Sequence, residues 1–271
     1  MDFDLELASY SDIGKIREKN EDSVLIVPEL CLGAVADGMG GHNAGEIASS
    51  LAVSILRQTL SDLNNKKTSI PRDFEPNLPK IARKLLYASS IANTRIFTLA
   101  RENYKRRGMG TTLSAIYIED AVNAAAVHIG DSRIYLLRDG ALKQISSDHS
   151  YVQEQVARGV MTKDQADKSR IQNILTKALG LKRDARCDII LLSPKVGDIY
   201  MMCSDGVNKG ITEAEIQTIM LKPLSAGKMC HEIVRISAKN DGKDNVSSVV
   251  IKILPKAKKS VMASLARAFK L

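Results

Sequence analysis

The sequence of 271 residues is poor in the residue types on which several protein classes depend. It contains no tryptophan, and aromatic residues make up only 4% of the chain. Aromatic side chains form the stacking platforms that bind single-stranded nucleic acids, so this composition argues against such a partner. The net charge of +8 does not change that conclusion, because residues 256–271 supply five basic residues and no acid. We therefore expect no nucleic-acid partner.

Cysteine is also scarce. The four cysteines are widely spaced and form no Cys-x-x-Cys pair: Cys31, Cys187, Cys203 and Cys230. This spacing indicates neither a zinc knuckle nor a disulfide framework. We expect the four side chains to be buried thiols.

Long apolar runs are absent from the sequence. The longest, such as Ala121 to Val127 and Val246 to Ile251, fall far short of the roughly 20 residues that cross a bilayer. The first six residues are acidic where a secretory signal would be basic and then apolar. We therefore expect a cytoplasmic protein without a membrane span.

The composition that is present, 44% apolar and 26% charged residues, is typical of a globular chain with one substantial core. In the first half, the apolar run from Cys31 to Ala36 ends at the glycine-rich segment 37–41, which predicts a buried strand followed by a loop. Apolar residues then recur every four positions, at Ile47, Leu51 and Ile55, which predicts a helix. A second helix is expected over residues 81–101.

The second half is predicted to consist mainly of strands. They cover Thr112 to Ile118, Asn123 to Ile129, Arg133 to Arg138, Asp188 to Leu192, Asp198 to Cys203 and Val246 to Leu254. Several are separated only by short turns, which favour antiparallel neighbours. Helical patterns interrupt them over residues 149–177 and 213–238. An α+β fold, with an antiparallel core and helices packed outside, follows from this order.

Four aspartates recur where strand patterns begin or end, each beside a small or turn-forming residue: Asp37, Asp131, Asp205 and Asp244. Strand ends that meet at one edge of a sheet would bring these carboxylates together. Mg²⁺ and Mn²⁺ prefer oxygen ligands, so an aspartate cluster without nearby histidines suits them better than zinc. A single Asp-Gly is, however, an ordinary turn. The glycine-rich loop before a helix is also compatible with phosphate binding, although it lacks the Gly-Lys-Ser/Thr ending of a nucleotide P-loop.

Taken together and in order, seven segments of the sequence form a specific pattern. They are Arg17-Glu18-Lys19-Asn20-Glu21-Asp22, Ala36-Asp37-Gly38-Met39-Gly40-Gly41-His42, Gly110-Thr111-Thr112, Gly130-Asp131-Ser132-Arg133, Leu175-Thr176-Lys177-Ala178-Leu179-Gly180, Ser204-Asp205-Gly206-Val207 and Asp244-Asn245. This pattern closely resembles the signature of the type 2C, metal-dependent protein serine/threonine phosphatases, most closely their bacterial branch. The resemblance runs from about Ser9 to Ile253. It implies two packed antiparallel β-sheets flanked on both faces by α-helices, an α/β/β/α four-layer sandwich.

The resemblance also implies a ligand set for two catalytic Mn²⁺ or Mg²⁺ ions. Asp37 would bridge the two ions, and the backbone carbonyl of Gly38 would bind one of them. Asp205 and Asp244 would complete the other. Two such cations can share one water, lower its pKa and aim it at phosphorus.

Four further residues take roles from the same resemblance. Glu21 and Asp22 would act mainly through metal-bound waters, and Asp131 with Asp205 would hold a third ion. Arg17 would pair with the substrate phosphate, which its planar guanidinium suits. The proton donor stays open: some relatives have a histidine where this chain has Met39, which leaves His42 or a metal-bound water.

The implied activity is hydrolysis of phosphoserine and phosphothreonine in proteins, opposing a serine/threonine kinase. Two alternatives remain: a catalytically inactive adaptor that binds phosphoproteins, and a phosphohydrolase for small metabolites. We expect residues 1–255 to form the catalytic domain and residues 256–271 a basic amphipathic tail, with Val261, Met262, Leu265 and Phe269 on one arc of a helix. That tail either packs on the domain or contacts an anionic membrane or an acidic partner.

Overall fold

The computed structural model describes residues 2–40, 44–102, 104–162, 165–166, 169, 171 and 174–257. The described part contains eleven strands: β1 (Phe3–Asp12), β2 (Asp22–Val27), β3 (Leu32–Met39), β4 (Gly110–Thr111), β5 (Leu113–Ile118), β6 (Ala124–Ile129), β7 (Arg133–Arg138), β8 (Ala141–Gln144), β9 (Asp188–Leu192), β10 (Ile199–Cys203) and β11 (Val246–Pro255). Its α-helices are α1 (Gly45–Asn64), α2 (Lys80–Glu102), α3 (Tyr151–Ala157), α4 (Asp205–Gly210), α5 (Glu213–Met220) and α6 (Ala226–Asn240).

The strands form two antiparallel sheets. One has the order β1-β11-β10-β7-β8, and the other has the order β2-β3-β5-β6-β9, with the short β4 paired to β3. A short turn joins β5 to β6, as the sequence predicts, and another joins β7 to β8. The α+β prediction is confirmed.

Three apolar clusters separate four layers. The middle cluster lies between the sheets, where Val35 and Ile116 of one sheet meet Tyr200, Met202 and Val249 of the other. On the outer faces, α1 and α2 pack against the β3-β5-β6 side, and α4, α5 and α6 pack against the β7-β10-β11 side. Each fully buried large apolar side chain in these clusters contributes roughly 1.5–3 kcal/mol. The four-layer sandwich expected from the sequence is therefore confirmed.

The first predicted strand and helix are present with two differences. β3 continues through Asp37 and Gly38, because Gly38 pairs with Thr111 of β4, so these residues belong to a strand and not to a loop. The fully buried face of α1 consists of small and apolar residues one position away from the predicted stripe: Ala48, Ala52, Leu56 and Leu60. Alanines allow the helix to lie close to the sheet, which leaves the bulkier Ile47, Leu51 and Ile55 at the edge of the contact.

The predicted strands of the second half agree with the structure to within one residue. The helical pattern over 213–238 is two helices, since Pro223 interrupts it and each helix has its own cap, Thr212 for α5 and Ser225 for α6. The predicted helical region 149–177 contains helix α3, and several of its other positions lie outside the described residues. Four elements have no counterpart among those predicted from the sequence: β1, β2, β8 and α4.

All four cysteines are free thiols. Cys203 and Cys230 are buried as expected, whereas Cys31 and Cys187 are partly exposed. None of the helices in the described ranges is long and apolar enough to cross a bilayer. The predicted amphipathic segment of the tail, and His42, lie outside the described residues.

Candidate metal centre

The first side of the site is built where β2 begins and β3 ends. Asp22 and Asp37 are directly opposite each other in the β2–β3 pair. The backbone of Asp37 is held on both sides, because its amide donates to the hydroxyl of Thr112 at 2.9 Å and its carbonyl accepts from the hydroxyl of Thr111 at 2.9 Å. Strand pairing therefore fixes the position of Asp37.

Gly38 lies where three chain segments approach one another. Its amide donates to the carbonyl of Glu21 at 3.1 Å. A Cβ atom at this position would lie 2.2 Å from the carbonyl oxygen of Gly45 and 2.7 Å from that of Glu21. Only glycine fits here. The close approach also holds Glu21 beside β3, with the hydroxyl of Ser49 donating to its carbonyl at 2.6 Å.

The second side of the site comes from the other sheet. Asp205 is the first residue of α4, directly after β10, and Asp244 lies just before β11. The two sides are joined by hydrogen bonds: the hydroxyl of Ser204 donates to Oδ2 of Asp22 at 2.7 Å, and the amide of Glu21 donates to Oδ1 of Asn245 at 2.8 Å. The site therefore spans both sheets of the sandwich.

Asp131 lies in the turn between β6 and β7. The preceding Gly130 has φ 109°, and a Cβ there would lie 2.5 Å from Cγ2 of Thr112. His149 holds this turn, because its Nδ1 accepts from the amide of Gly130 at 3.1 Å while its Nε2 faces Asp188 at 3.1 Å. The ring thus connects β9 to the turn that carries Asp131.

One cleft of about 270 Å³ brings together seven of the eight predicted site residues. Its lining includes Arg17, Glu21, Asp37, Gly38, Asp131, Asp205 and Asp244. The eighth, Asp22, is buried beneath Ser204. The four predicted aspartates therefore do lie together, but they come from the edges of both sheets and not from one edge of a single sheet, because β3 and β10 belong to different sheets.

The carboxylates of the cleft are crowded and poorly solvated. Burial raises the pKa of Asp22 and of Asp131 to about 7, with neighbouring carboxylates adding to the effect. Burial, and then Asp22, Asp205 and Asp131, raise the pKa of Asp37 well above its ordinary value. Buried carboxylates at such short range are costly unless cations neutralise them.

The donor set fits hard divalent cations. Oδ1 of Asp22 and Oδ1 of Asp205 are buried and have no hydrogen-bond partner. Carboxylate and carbonyl oxygens are the ligands that Mg²⁺ and Mn²⁺ prefer. Within the described ranges, no three acidic, histidine or cysteine side chains already converge on one point as a closed cage. The oxygens are available in the cleft, but their side chains have to reorient to bind an ion together.

Two basic side chains form ion pairs with the carboxylates on the second side of the site. Nζ of Lys209 lies 2.5 Å from Oδ2 of Asp205 and 3.0 Å from Oδ2 of Asp244. Nη2 of Arg17 lies 2.8 Å from Oδ1 of Asp244. Lys209 is not among the residues predicted from the sequence, although its position four residues after Asp205 at the start of a helix is a recognisable ion-pair spacing.

Comparison with known proteins agrees with this geometry. A family model described as protein phosphatase 2C matches residues 18–226. The serine/threonine protein phosphatase PstP of Mycobacterium tuberculosis is 34% identical over 92% of this chain, and the chain spans 45% of that relative's length. Protein phosphatase PhpP of Streptococcus pneumoniae is 31% identical over 91% of this chain and 97% of its own length.

A solved structure shows the same architecture. The catalytic domain of serine/threonine protein phosphatase PstP, in complex with two manganese ions, is 32% identical and superimposes with a TM-score of 0.79. The alignment covers 93% of this chain and 99% of that domain. The four-layer sandwich, the acidic cleft across its two sheets and the matched family model together establish that the chain belongs to the protein phosphatase 2C family.

Proposed function

We propose that this protein hydrolyses phosphoserine and phosphothreonine in proteins at a centre of two Mn²⁺ or Mg²⁺ ions. The observation that carries the proposal is the meeting of buried carboxylates from both sheets in one cleft, with two buried carboxylate oxygens lacking partners. Relatives similar over nearly the whole chain are named serine/threonine phosphatases, and a similar catalytic domain binds two manganese ions. These features support phosphoester hydrolysis over any other reaction.

Each cleft residue takes a role that its position supports. Asp37, whose backbone is fixed by hydrogen bonds to Thr111 and Thr112, would hold both ions, and the carbonyl of Gly38 would hold one of them. Asp205 and Asp244 would hold the other from the opposite sheet. Glu21 and Asp22 would act through waters bound to the ions, which is consistent with the burial of Asp22 beneath Ser204.

Arg17 is the residue best placed to bind the phosphate group of the substrate. Its side chain is 46% exposed and lines the cleft, so its guanidinium can exchange Asp244 for an incoming dianion. The two cations, when bound, supply the Lewis acidity that lowers the pKa of the attacking water. The remaining carboxylates would hold the two cations in place. The backbone of Asp37, which is fixed by its hydrogen bonds, would limit rearrangement of the site during the reaction.

Asp131 and Asp205 are proposed to hold a third ion. Both also line a larger adjoining cleft of about 790 Å³, which contains Arg133, Asp148 and Gln153. This cleft extends from the acidic centre towards α3, whose Val152 and Gln153 line it. We infer that phosphoproteins, including a serine/threonine kinase, dock there with the phosphate directed at Arg17.

A manganese-dependent assay tests the proposal. The protein should release phosphate from a phosphothreonine peptide in the presence of Mn²⁺, lose activity with a chelator and act much more slowly on a phosphotyrosine peptide. Binding of phosphopeptide without turnover would favour the adaptor alternative. Faster turnover of a sugar phosphate than of the phosphothreonine peptide would favour a metabolite phosphohydrolase.

A further inference from the structure

Lys209 places a positive charge inside the group of carboxylates that we assign to metal binding. Its Nζ lies within 3.0 Å of carboxylate oxygens of both Asp205 and Asp244. We propose that Lys209 competes with the cation that Asp205 and Asp244 bind. Its ammonium group neutralises the two carboxylates in the metal-free protein and has to move away from them when the metal binds. This inference rests on the proposed role of these two aspartates.

The backbone of α4, which carries Lys209, packs closely against neighbouring segments. Within α4, a Cβ on Gly206 would lie 2.1 Å from the carbonyl oxygen of Asn245, and a Cβ on Gly210 would lie 2.2 Å from that of Ser237. These close approaches show that α4 packs tightly against α6 and against the residue that precedes β11. The neighbouring Asn208 is also fixed, since its Oδ1 accepts from the hydroxyl of Tyr135 at 3.0 Å. The side chain of Lys209 can therefore change position while the backbone of α4 stays in place.

The position of the lysine suits this role, because its Nζ contacts both Asp205 and Asp244. The side chain remains 26% exposed, which gives the ammonium a route to solvent once it is displaced. One ammonium balances only part of the charge of two carboxylates, so a divalent cation still binds, but more weakly than it would to the aspartates alone.

The two catalytic ions should therefore bind with different affinities. Within the described residues, Asp22 and Asp37 have no basic side chain at salt-bridge distance, whereas Asp205 and Asp244 share Lys209. The competition therefore affects the ion bound by Asp205 and Asp244. Binding of Mn²⁺ to the metal-free protein should show one stronger and one weaker class of site, with the weaker class set by Lys209.

The test uses calorimetric titration of Mn²⁺ into chelator-treated whole protein. Lys209→Met, which keeps the length and removes the charge, should tighten the weaker class about tenfold. It should also lower the melting temperature of the metal-free protein while leaving that of the Mn²⁺-loaded protein nearly unchanged. Lys209→Arg keeps a cation at this position and should not tighten binding.

Lys243→Met is the matched control. Lys243 is 74% exposed, lines the adjoining cleft and pairs with Asp241 at 3.3 Å, so its loss removes the same charge nearby without freeing the two aspartates. Equal tightening in both methionine variants, or no tightening in Lys209→Met, would overturn the inference while leaving the metal centre intact. If the unaltered protein and all variants bind no Mn²⁺, the proposed metal centre fails as well.

Discussion

The two sides of the acidic cleft are held in different ways. On the β2–β3 side, backbone and hydroxyl groups fix Glu21, Asp22 and Asp37, and none of the three has a basic partner at salt-bridge distance among the described residues. On the opposite side, Lys209 and Arg17 pair with Asp205 and Asp244. The first side therefore depends on bound cations for its charge balance, whereas the chain itself partly balances the second.

Removing a carboxylate from either side tests whether both are needed for the reaction. Asp37→Ala and Asp205→Ala should each lower kcat by roughly a thousandfold or more, because each loss unseats a cation that stabilises charge in the transition state. Steady-state assays on a phosphothreonine peptide measure this, with circular dichroism to show that the fold is kept. Full activity in either variant would break the account of a centre shared between the sheets.

The stability of the metal-free protein tests the difference in charge balance. Folding raises the pKa of Asp22 to about 7 from its ordinary value of 3.8, mainly through burial. The folded state therefore binds a proton more tightly than the unfolded state, and stability is lost as the pH rises through this window. Asp22→Asn removes that loss, so it should stabilise the chelator-treated protein by roughly 2–4 kcal/mol at pH 8 and by little at pH 4.

Asp244→Asn is the matched change on the other side. It removes a carboxylate that pairs with Arg17 and Lys209, so it should destabilise the metal-free protein at pH 8. Urea unfolding of both variants in chelator measures the two effects. If both variants shift stability in the same direction at pH 8, the contrast between the two sides is wrong.

Arg17 tests whether the paired side also binds substrate. Arg17→Ala should raise KM for a phosphothreonine peptide about tenfold with a smaller change in kcat, because the guanidinium binds a dianion present in both ground and transition states. Lys19→Ala removes a nearby exposed charge whose partner is Glu46, and it should leave KM unchanged. A large loss in kcat at constant KM would show that Arg17 acts in the transition state instead.

The smallest effect on catalysis is expected outside the cleft. β11 ends at Pro255, so a chain of residues 1–255 keeps every described strand and both sides of the site. We expect it to retain full phosphatase activity and to lose any binding to anionic vesicles that the whole chain shows. Unfolding of the shortened chain would show that the tail packs on the domain.

The sequence predicts the parts of this structure that local pattern controls. Alternation and turn residues identify β7 and β9 to the residue, because their strand patterns end at clear breaks. Convergence of the cleft residues follows from the motifs, which occur in the family's order. Their division between the two sides of the cleft does not follow from the motifs, because it depends on which sheet each strand joins.

Other features depend on contacts that a linear pattern does not contain. Asp37 lies in a strand because it pairs with Asp22 of β2, and β3 continues through Gly38 because Thr111 of β4, more than 70 residues later in the chain, pairs with it. The buried face of α1 is set by how closely its alanines approach the sheet. The ion pair between Lys209 and Asp244 joins residues 35 positions apart, so no local spacing predicts it.

The most direct test of the central claim is the number of Mn²⁺ ions that the chelator-treated protein binds. Calorimetric titration should show at least two sites in the unaltered protein. Asp37→Asn should lose both catalytic ions, because Asp37 is assigned to bridge them, and should leave at most the ion held by Asp131 and Asp205. Unchanged stoichiometry in Asp37→Asn would contradict the account.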